Sequence, residues 1–279
     1  MTVSTQLRCP LCAQALHYHE RGLRCTSKHS FDQARQGYFH LLPVQNKRSK
    51  APGDSAEMVH NRRDFLNLGH YLPIAEKISQ LALAATNKEA TALLDCGCGE
   101  GYYSQHLAAN LPPESDLIGL DISKEAVKSA CQRDKESTWI VASGANLPIV
   151  DSSLDQIVCL FTPIAASEFK RVLKPGGHLI IANTGPDHLL QLREQIYDQV
   201  KRNAFDPLPQ LRQSLGEITV EQHRLQFDFQ LDNNQQILQL LAMTPHQWRA
   251  SASAREELKQ LDRLTLSADV SIHSIKLPC

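Results

Sequence analysis

The chain has 279 residues, 42% of them hydrophobic, which suits one large globular domain or a core domain with additions. Its formal net charge is −1, a balance that on its own indicates no particular partner. The sequence has no stretch of about 18 apolar residues and no apolar segment near its start, so we expect no membrane helix, no signal peptide and a cytoplasmic protein.

The charges are unevenly divided along the chain. Residues 1–70 contain ten Lys or Arg against five Asp or Glu, a net charge of +5, whereas the remainder has a net charge of −6. A basic N-terminal part on an acidic body predicts that a polyanion docks at one end. An ordinary solvated face would produce the same excess, so both interpretations stay open.

Four residues near the N-terminus have the spacing of a zinc site. Cys9 and Cys12 form a C-x2-C pair, and Cys25 and His29 form a C-x3-H pair after twelve intervening residues. Three thiolates and one imidazole complete the tetrahedral ligand set of a structural zinc ion. The alternative is that these cysteines are free in a small core. We expect the other cysteines, apart from the terminal one, to be small core side chains.

The loop between the two ligand pairs is predicted to be a hairpin that turns at Arg21–Gly22. His17 and His19 in this loop are competing ligands, and we expect both at the surface. A segment this short has little apolar core and relies on the metal for its stability. We therefore predict a small zinc-binding domain over residues 1–45.

A segment that mixes aromatic and basic side chains follows the zinc motif. Phe31, Tyr38 and Phe39 interleave with Arg35, and a turn signal stands at Pro52–Gly53. This mixture suits RNA, whose bases stack on aromatic rings and whose phosphates pair with cations. A linker with a solvated face explains the pattern equally well. We predict a basic linker over residues 46–70, with these RNA-binding candidates: Lys47, Arg48, Lys50, Arg62 and Arg63.

The stretch Thr91–Ser104 reads TALLDCGCGEGYYS and has the pattern of a strand, a glycine loop and a helix. The apolar run that Asp95 closes is short enough for a buried parallel strand, and Tyr102 begins a helix. Glycine at alternate positions lets the backbone turn sharply and approach a ligand without a Cβ in the way. These glycines are Gly97, Gly99 and Gly101.

The spacing of these glycines separates two kinds of nucleotide site. A dinucleotide fingerprint needs a glycine where this chain has Tyr102. The G-x-G-x-G spacing after an acid instead resembles motif I of class I S-adenosylmethionine methyltransferases. The resemblance implies that the loop packs on the methionine and ribose of the cofactor, where the carboxylate of Asp95 can meet the ammonium. The alternative is a tight turn in an α/β sheet that binds no cofactor.

Strands and helices alternate around the glycine loop, and the last third adds an antiparallel hairpin. Beyond the first strand, predicted strands cover residues 117–121, 139–142, 155–161, 178–183, 218–231 and 270–275, the last as an edge strand. Predicted helices cover residues 71–90, 102 onward, 123–133, 168–173, 189–202 and 235–243, and a Lys-Pro-Gly-Gly turn covers 174–177. This pattern predicts an α/β fold of the class I methyltransferase type, Rossmann-like, with a mostly parallel seven-stranded sheet.

Side chains at the carboxyl ends of the strands are candidate cofactor contacts. Asp121 ends the second strand, where doubly wound folds place an acceptor for ribose hydroxyls. Resemblance to related methyltransferases implies that the next loop holds the adenine edge through Ser143, Gly144 and Asn146. Many relatives have an acid at the Ser143 position, so we expect a weaker adenine contact here. The fourth strand ends at Thr162–Pro163, where this fold presents the methyl acceptor.

Motifs along nearly the whole chain resemble one family. They are the Cys3His knuckles, LLPVQNKRSKAPGDSAEM, GHY, DCGCGEGYYS and MTPHQW, in this order. Together they are similar to the 23S rRNA guanine-N1 methyltransferases with an N-terminal zinc finger. The resemblance implies S-adenosylmethionine, structural zinc, no membrane partner, and a homodimer whose finger domains help to hold an rRNA hairpin. It is closer to the branch that acts on guanosine 745 than to the neighbouring-position branch tied to macrolide resistance.

The same resemblance implies further site residues. Tyr71 of GHY, Glu100 with its glycine loop, Asp121 and His188 of GPDHL would line the cofactor. The reaction must align guanine N1 with the sulfonium methyl and let the N1 proton leave, with the base unstacked into the pocket. His188 is a weak candidate for the general base, because a lone histidine is more often structural.

Two other functions share part of the pattern. A small-molecule methyltransferase, for example one acting on a quinone, would need residues 91–183 but neither the zinc motif nor the basic N-terminal part. A non-catalytic zinc-dependent RNA-binding protein would leave the glycine loop and both acids unexplained. We therefore predict that a methyltransferase domain over residues 71–279 methylates N1 of a guanine in 23S rRNA.

Overall fold

The computed structural model describes residues 3–46, 49, 51–86 and 90–279. Of the predicted site residues, Lys47, Arg48 and Lys50 lie outside the described residues. No helix in the described part of the chain is long and apolar enough to cross a membrane.

The N-terminal unit is a three-stranded antiparallel sheet. Its strands are β1 (His17–His19), β2 (Gly22–Arg24) and β3 (Ser30–Asp32). The predicted hairpin is present, but His19 pairs with Gly22, so its turn lies at Glu20 and Arg21, one residue earlier than expected. Glu20 takes a left-handed φ of 58°, as tight two-residue turns require. His17 and His19 are exposed, as predicted.

Three elements connect this unit to the main sheet. Strand β4 (Phe39–His40) pairs in parallel with a strand of that sheet, β7 (Thr138–Val141). Helix α1 (Ala56–Asn67) begins at Ser55, whose hydroxyl accepts the Met58 N–H at 3.3 Å. Helix α2 (Leu72–Ala84) lies inside the predicted range 71–90 and packs its apolar side into the core.

Eight strands in the described residues form the main sheet, in the order β10-β11-β9-β8-β5-β6-β7-β4. All neighbouring pairs from β9 to β4 are parallel, and β10 and β11 add the antiparallel hairpin. The remaining strands are β5 (Ala92–Cys96), β6 (Asp116–Asp121), β8 (Leu154–Leu160), β9 (Leu173–Thr184), β10 (Thr219–Leu231) and β11 (Leu264–Lys276). The seven predicted strands are confirmed, and the short β4 is an addition.

Helices cover both faces of this sheet. Leu93 packs into one buried core and its neighbour Leu94 into the other, because successive side chains of a strand point to opposite faces. Ser123, the first residue of the predicted helix 123–133, accepts the Ala126 N–H at 3.2 Å and is the N-cap of α4. The helices are α3 (Tyr102–Asn110), α4 (Lys124–Arg133), α5 (Ala166–Val172), α6 (Leu190–Ile196), α7 (Leu208–Leu215), α8 (Asn234–Met243) and α9 (Ala252–Lys259).

Several predictions about individual elements are wrong. Residues 270–275 belong to β11, which lies inside the sheet between β10 and β9, so the edge strand is β10. The predicted turn at 174–177 is the start of β9, where Gly176 has a φ of 72° and donates its N–H to Pro278 O at 2.8 Å. Helix α6 ends at Ile196 rather than at residue 202, and the sequence did not predict α7 and α9.

Candidate functional site

The glycine loop joins β5 to α3 at the carboxyl edge of the sheet. The N–H groups of Gly97 and Cys98 both donate to Leu120 O, at 2.7 and 2.9 Å, which ties the loop to β6. A Cβ on Gly97 would lie 2.7 Å from the Thr162 side chain, and one on Gly101 would lie 2.9 Å from Ala130 Cβ. Both glycines also have left-handed φ values, so no other residue fits these two positions without strain.

Gly99 is at the open side of the same loop. The nearest atom to a Cβ built there is Nη1 of Arg62, at 3.9 Å. The space above Gly99 is therefore free on the protein side, which leaves room for a ligand to approach the backbone. This agrees with the predicted role of the loop.

Asp121, at the end of β6, holds the glycine loop in shape. Its Oδ2 accepts the Gly99 N–H at 3.0 Å, and its Oδ1 accepts the Ser123 N–H at 2.7 Å. Burial raises the pKa of Asp121 above its ordinary value, and these two donors oppose part of the shift. Each carboxylate oxygen has a second lone pair, so the partly exposed Asp121 can still accept hydroxyl groups of a ribose.

Asp95 and Glu100 are buried beneath the loop rather than open to the cleft. Asp95 accepts the Ser104 hydroxyl at 2.5 Å, and burial raises its pKa to about 7. Glu100 is 1% exposed and pairs with Arg133 of α4. Burial also raises the pKa of Glu100, and Arg133 opposes that shift. In these positions both acids tie the loop to its flanking helices.

The predicted adenine contacts lie in a turn after β7. The Asn146 N–H donates to Ser143 O at 3.1 Å, and the Ala145 N–H donates to Ser143 Oγ at 3.3 Å. A Cβ on Gly144 would lie 3.2 Å from the sulfur of Cys96, so this turn approaches the end of β5. The structure thus brings the turn, the glycine loop and Asp121 to one edge of the sheet.

Tyr71 and His188 also meet near this edge. Nε2 of His188 lies 3.2 Å from the Tyr71 hydroxyl, and Nδ1 accepts the Asp269 N–H at 3.3 Å. Burial lowers the pKa of His188 to about 4, so the imidazole is neutral and its one proton is on Nε2. The Tyr71 oxygen therefore accepts from His188, and its own proton is available to another acceptor.

Asp269 in this chain of hydrogen bonds was not predicted from the sequence. Its carboxylate is fully buried and accepts hydrogen bonds from Nε and Nη2 of Arg224, both at 2.9 Å. A Cβ on Gly185, the residue after β9, would lie 2.4 Å from that carboxylate, so the chain after β9 passes close to β11 here. Asp269 lies in the central part of β11, and no motif in the sequence marks it.

Helix α1 packs its two arginines against the body of the protein. Arg62 pairs with Asp54 and lies over the open side of the glycine loop. Arg63 donates to Ser129 Oγ at 3.3 Å and to Gln132 Oε1 at 2.6 Å on α4. Both guanidinium groups thus have protein partners beside the candidate cofactor site.

The four predicted zinc ligands converge in the N-terminal unit. Their ligand atoms all lie within 4.8 Å of one another. Cys25 Sγ is 3.6 Å from Cys12 Sγ and 3.4 Å from His29 Nδ1, and Cys9 Sγ is 3.5 Å from the same nitrogen. Zn–S bonds of about 2.3 Å place the thiolates of a tetrahedral site about 3.8 Å apart, so these residues fit a zinc ion.

One side chain joins the two ligand loops. Gln14 Oε1 accepts the Thr26 hydroxyl at 2.5 Å and the Ser27 N–H at 3.0 Å. Gln14 follows the C-x2-C pair, and Thr26 and Ser27 follow Cys25, so this contact fixes the two loops relative to each other. No sequence motif indicates this role of Gln14.

Comparison with known proteins identifies both parts of the chain. Residues 7–50 match the zinc-ribbon family described as RlmA, N-terminal, and residues 94–181 match the methyltransferase domain family. The 23S rRNA (guanine(748)-N(1))-methyltransferase of Streptomyces fradiae is 32% identical over an alignment of 279 positions, gaps included, that covers 95% of each chain. The chain belongs to the 23S rRNA (guanine-N1) methyltransferase family.

Further similarities agree with this family. A Micromonospora griseorubida protein, provisionally named as a 23S rRNA (guanine-N1) methyltransferase, is 32% identical over 87% of this chain and 86% of its own. A Bacillus halodurans crystal structure matches with a TM-score of 0.53 at 16% identity, covering 73% of this chain and 100% of that one, and shows the fold alone. The predicted enzyme class, the cofactor S-adenosylmethionine and the zinc ribbon are confirmed.

Proposed function

We propose that this enzyme transfers the methyl group of S-adenosylmethionine to N1 of a guanine in 23S rRNA. The observation that carries the proposal is the similarity to the S. fradiae enzyme along 95% of both chains, zinc ribbon included. In the transfer the bond between the methyl carbon and sulfur breaks, and its electron pair stays on sulfur. A bond from N1 to that carbon forms, and the N1 proton leaves to solvent.

The contacts described above support a division of roles around the cofactor. Asp121 receives the ribose hydroxyls, and the turn Ser143–Asn146 lies along the adenine edge. Gly99 allows the cofactor to approach the loop, and Tyr71 donates its free proton to an acceptor on the cofactor. Asp95 and Glu100 act beneath the loop, since both are buried and bonded to neighbouring elements.

His188 acts by position rather than by proton transfer in this proposal. Both of its ring nitrogens are engaged, and burial lowers its pKa to about 4, which makes it a poor proton acceptor at neutral pH. Its contribution is to orient the Tyr71 hydroxyl. With His188 in this role, the guanine N1 proton passes to water.

The decisive experiment locates the product on the RNA. Purified enzyme, labelled cofactor and unmodified 23S rRNA should yield a methyl group that blocks the Watson–Crick edge and stops reverse transcription at one guanine. A stop at guanine 745 fits the resemblance, whereas a stop at 748 fits the name of the S. fradiae relative. Label in a lipid extract and none in rRNA would favour the small-molecule alternative and contradict the proposal.

The basic segment, by which we mean residues 42–53 with Lys47, Arg48 and Lys50, is proposed to bind RNA and to take no part in the chemistry. Neutralising Lys47, Arg48 and Lys50 together should raise KM for rRNA, leave cofactor affinity unchanged, and make the salt dependence of RNA binding shallower by up to about one unit of slope per lost phosphate contact. A Lys259→Ala variant on the surface of α9 serves as a control. An unchanged salt slope in the triple variant would make the segment an ordinary linker.

Arg62 and Arg63 enter the same proposal with a restriction. Because each already donates to protein groups, a phosphate would have to share the guanidinium with those partners or displace one of them. We expect their neutralisation to lower cofactor affinity as well as RNA affinity, which distinguishes them from the basic segment. Calorimetry with the cofactor alone measures that difference.

Assembly and boundaries complete the proposal. By resemblance, the enzyme is a cytoplasmic homodimer that holds an rRNA hairpin with its zinc ribbons. Light scattering of the purified protein tests the dimer, and a monomer that retains full activity would contradict it. The proposed division into a zinc-binding domain (1–45), a basic linker (46–70) and a methyltransferase domain (71–279) can be tested by limited proteolysis.

A further inference from the structure

An aromatic residue at the end of β8 has a backbone conformation that such residues rarely adopt. Phe161 has a left-handed φ of 54°, and it is the only aromatic residue with a positive φ in the described part of the chain. Its N–H donates to Ala182 O at 2.9 Å, so the strand pairing holds the backbone in this conformation. Strained residues of this kind concentrate at ligand sites, where the fold fixes a side chain for use.

The Phe161 side chain is partly exposed although it is large and apolar. It is 38% exposed, while its ring contacts two aromatic neighbours. The His188 ring lies 6.4 Å away at an interplanar angle of 28°, and the Tyr103 ring lies 6.2 Å away at 48°. These neighbours support the ring from the protein side and leave part of it open to a ligand.

The position of Phe161 relates the exposed ring to the cofactor. Thr162, the next residue, fills the space beside Gly97, where its side chain comes within 2.7 Å of a Cβ position. Tyr103 lies in the first turn of α3, directly after the glycine loop. The Phe161 ring is therefore bordered by the start of α3 and by His188, and the residue that follows it lies against the glycine loop.

We propose that Phe161 is the stacking surface that holds the target guanine for methyl transfer. A base unstacked from RNA needs a flat apolar surface to replace its lost neighbours, and aromatic side chains supply one. This inference rests on the proposed function, because it assumes that the acceptor is a base. It adds a substrate-binding residue to a site whose other assigned residues serve the cofactor.

The test compares an aliphatic and an aromatic replacement at one position. Phe161→Leu keeps an apolar side chain without a π face and should lower kcat/KM for rRNA by roughly ten- to a hundred-fold, the usual range for one lost base stack. Phe161→Tyr should retain activity within a few-fold. Cofactor affinity and melting temperature should stay at their normal values in both variants. Phe205→Leu, at an exposed phenylalanine before α7, is the matched control.

A second measurement reports stacking without turnover. In Phe161→Trp, adding the rRNA hairpin should quench the new indole fluorescence, and the wild-type protein gives the background from its own tryptophans. If wild-type enzyme methylates guanine N1 and Phe161→Leu does so equally well, the stacking role is wrong and the proposed function stands. If Phe161→Leu loses cofactor binding or stability in parallel with activity, the role is structural. If the wild-type enzyme methylates no rRNA, both proposals fall.

Discussion

Replacing Asp121 with Asn tests the centre of the cofactor site. The carboxylate accepts two backbone N–H groups, one from Gly99 and one from Ser123, through different oxygens. An amide has only one oxygen, so whichever way it is turned, its NH2 group faces a backbone N–H. The variant therefore loses one charged hydrogen bond, weakens the other, and removes the negative charge that a ribose hydroxyl would meet.

The size of the effect follows from these contacts. A hydrogen bond to a charged group contributes about 1.5–3 kcal/mol, and each 1.4 kcal/mol changes a dissociation constant about tenfold. We expect Asp121→Asn to weaken S-adenosylmethionine binding by roughly ten- to a hundred-fold. Part of this loss comes from the glycine loop, whose Gly99 N–H no longer has its acceptor.

The assay is calorimetric titration of the cofactor, with Asp116→Asn as a matched control. Asp116 begins the same strand that Asp121 ends, and it accepts the Ser4 hydroxyl at 2.5 Å, far from the glycine loop. Its replacement should loosen the N-terminal segment without changing cofactor affinity. If Asp121→Asn binds the cofactor as tightly as the wild type, or both variants lose affinity equally, the assignment of Asp121 is wrong.

Three further predictions concern the zinc, the loop and a buried acid. Cys25→Ala should hold less than one zinc per chain by metal analysis and expose residues 1–45 to hydrogen exchange, while Cys131→Ala keeps its zinc. Gly97→Ala should lower the melting temperature because its Cβ meets Thr162 at 2.7 Å, whereas Gly99→Ala should mainly weaken cofactor binding in calorimetry. In cofactor-free protein, the raised pKa of Asp95, about 7, means that ionisation costs stability as pH rises from 4 to 7. The free energy of unfolding of Asp95→Asn, measured by urea denaturation, should therefore rise relative to that of the wild type by up to about 4 kcal/mol between pH 4 and pH 7. A difference between the two proteins that does not change with pH would refute this.

Most of the fold could be predicted because its signals are local. Strands β5 and β6, for example, are short apolar runs at whose ends Asp95 and Asp121 stand. Such runs can be recognised in the sequence without knowing what they contact. Strand β4 was not predictable in the same way, since two residues give no period. Its existence depends on pairing with β7, whose paired residues Ile140 and Val141 lie 101 positions after Phe39 and His40.

The errors in the last third have a similar cause. Whether a strand lies at an edge depends on its partners, and the alternation of residues 270–275 cannot show that β10 lies outside β11. Helix α7 did carry a signal, because Leu208, Leu211 and Leu215 follow helical spacing and all three are buried. Its length of eight residues makes that signal short.

The site residues also differ in whether their signals are local. The zinc ligands and the glycines follow from spacing within one segment, whereas Tyr71 and His188 entered only through the family resemblance. In the structure Tyr71 and His188 are joined by a hydrogen bond although 117 positions separate them in the chain. No period or local motif can join residues so distant, and Asp269, which completes the chain of contacts, carries no motif at all.

The path of the chain between the zinc ribbon and α1 bears on how RNA reaches the pocket. Because β4 is parallel to β7, the chain leaves β4 at the carboxyl edge of the sheet, where the Leu41 N–H still donates to Val141 O at 2.9 Å. The other end is held at the same edge, since the Ser123 hydroxyl donates to Asp54 O at 2.7 Å.

Both ends of the basic segment are thus fixed beside the cofactor site, whatever path the residues between them take. Gly53 closes this segment with a φ of 82°, and a Cβ there would lie 2.7 Å from Ser123 Cβ, so the approach to α4 is close. If the segment binds phosphates as proposed, it does so while held at both ends at the sheet edge that carries the glycine loop, which favours RNA contacts on this side of the protein.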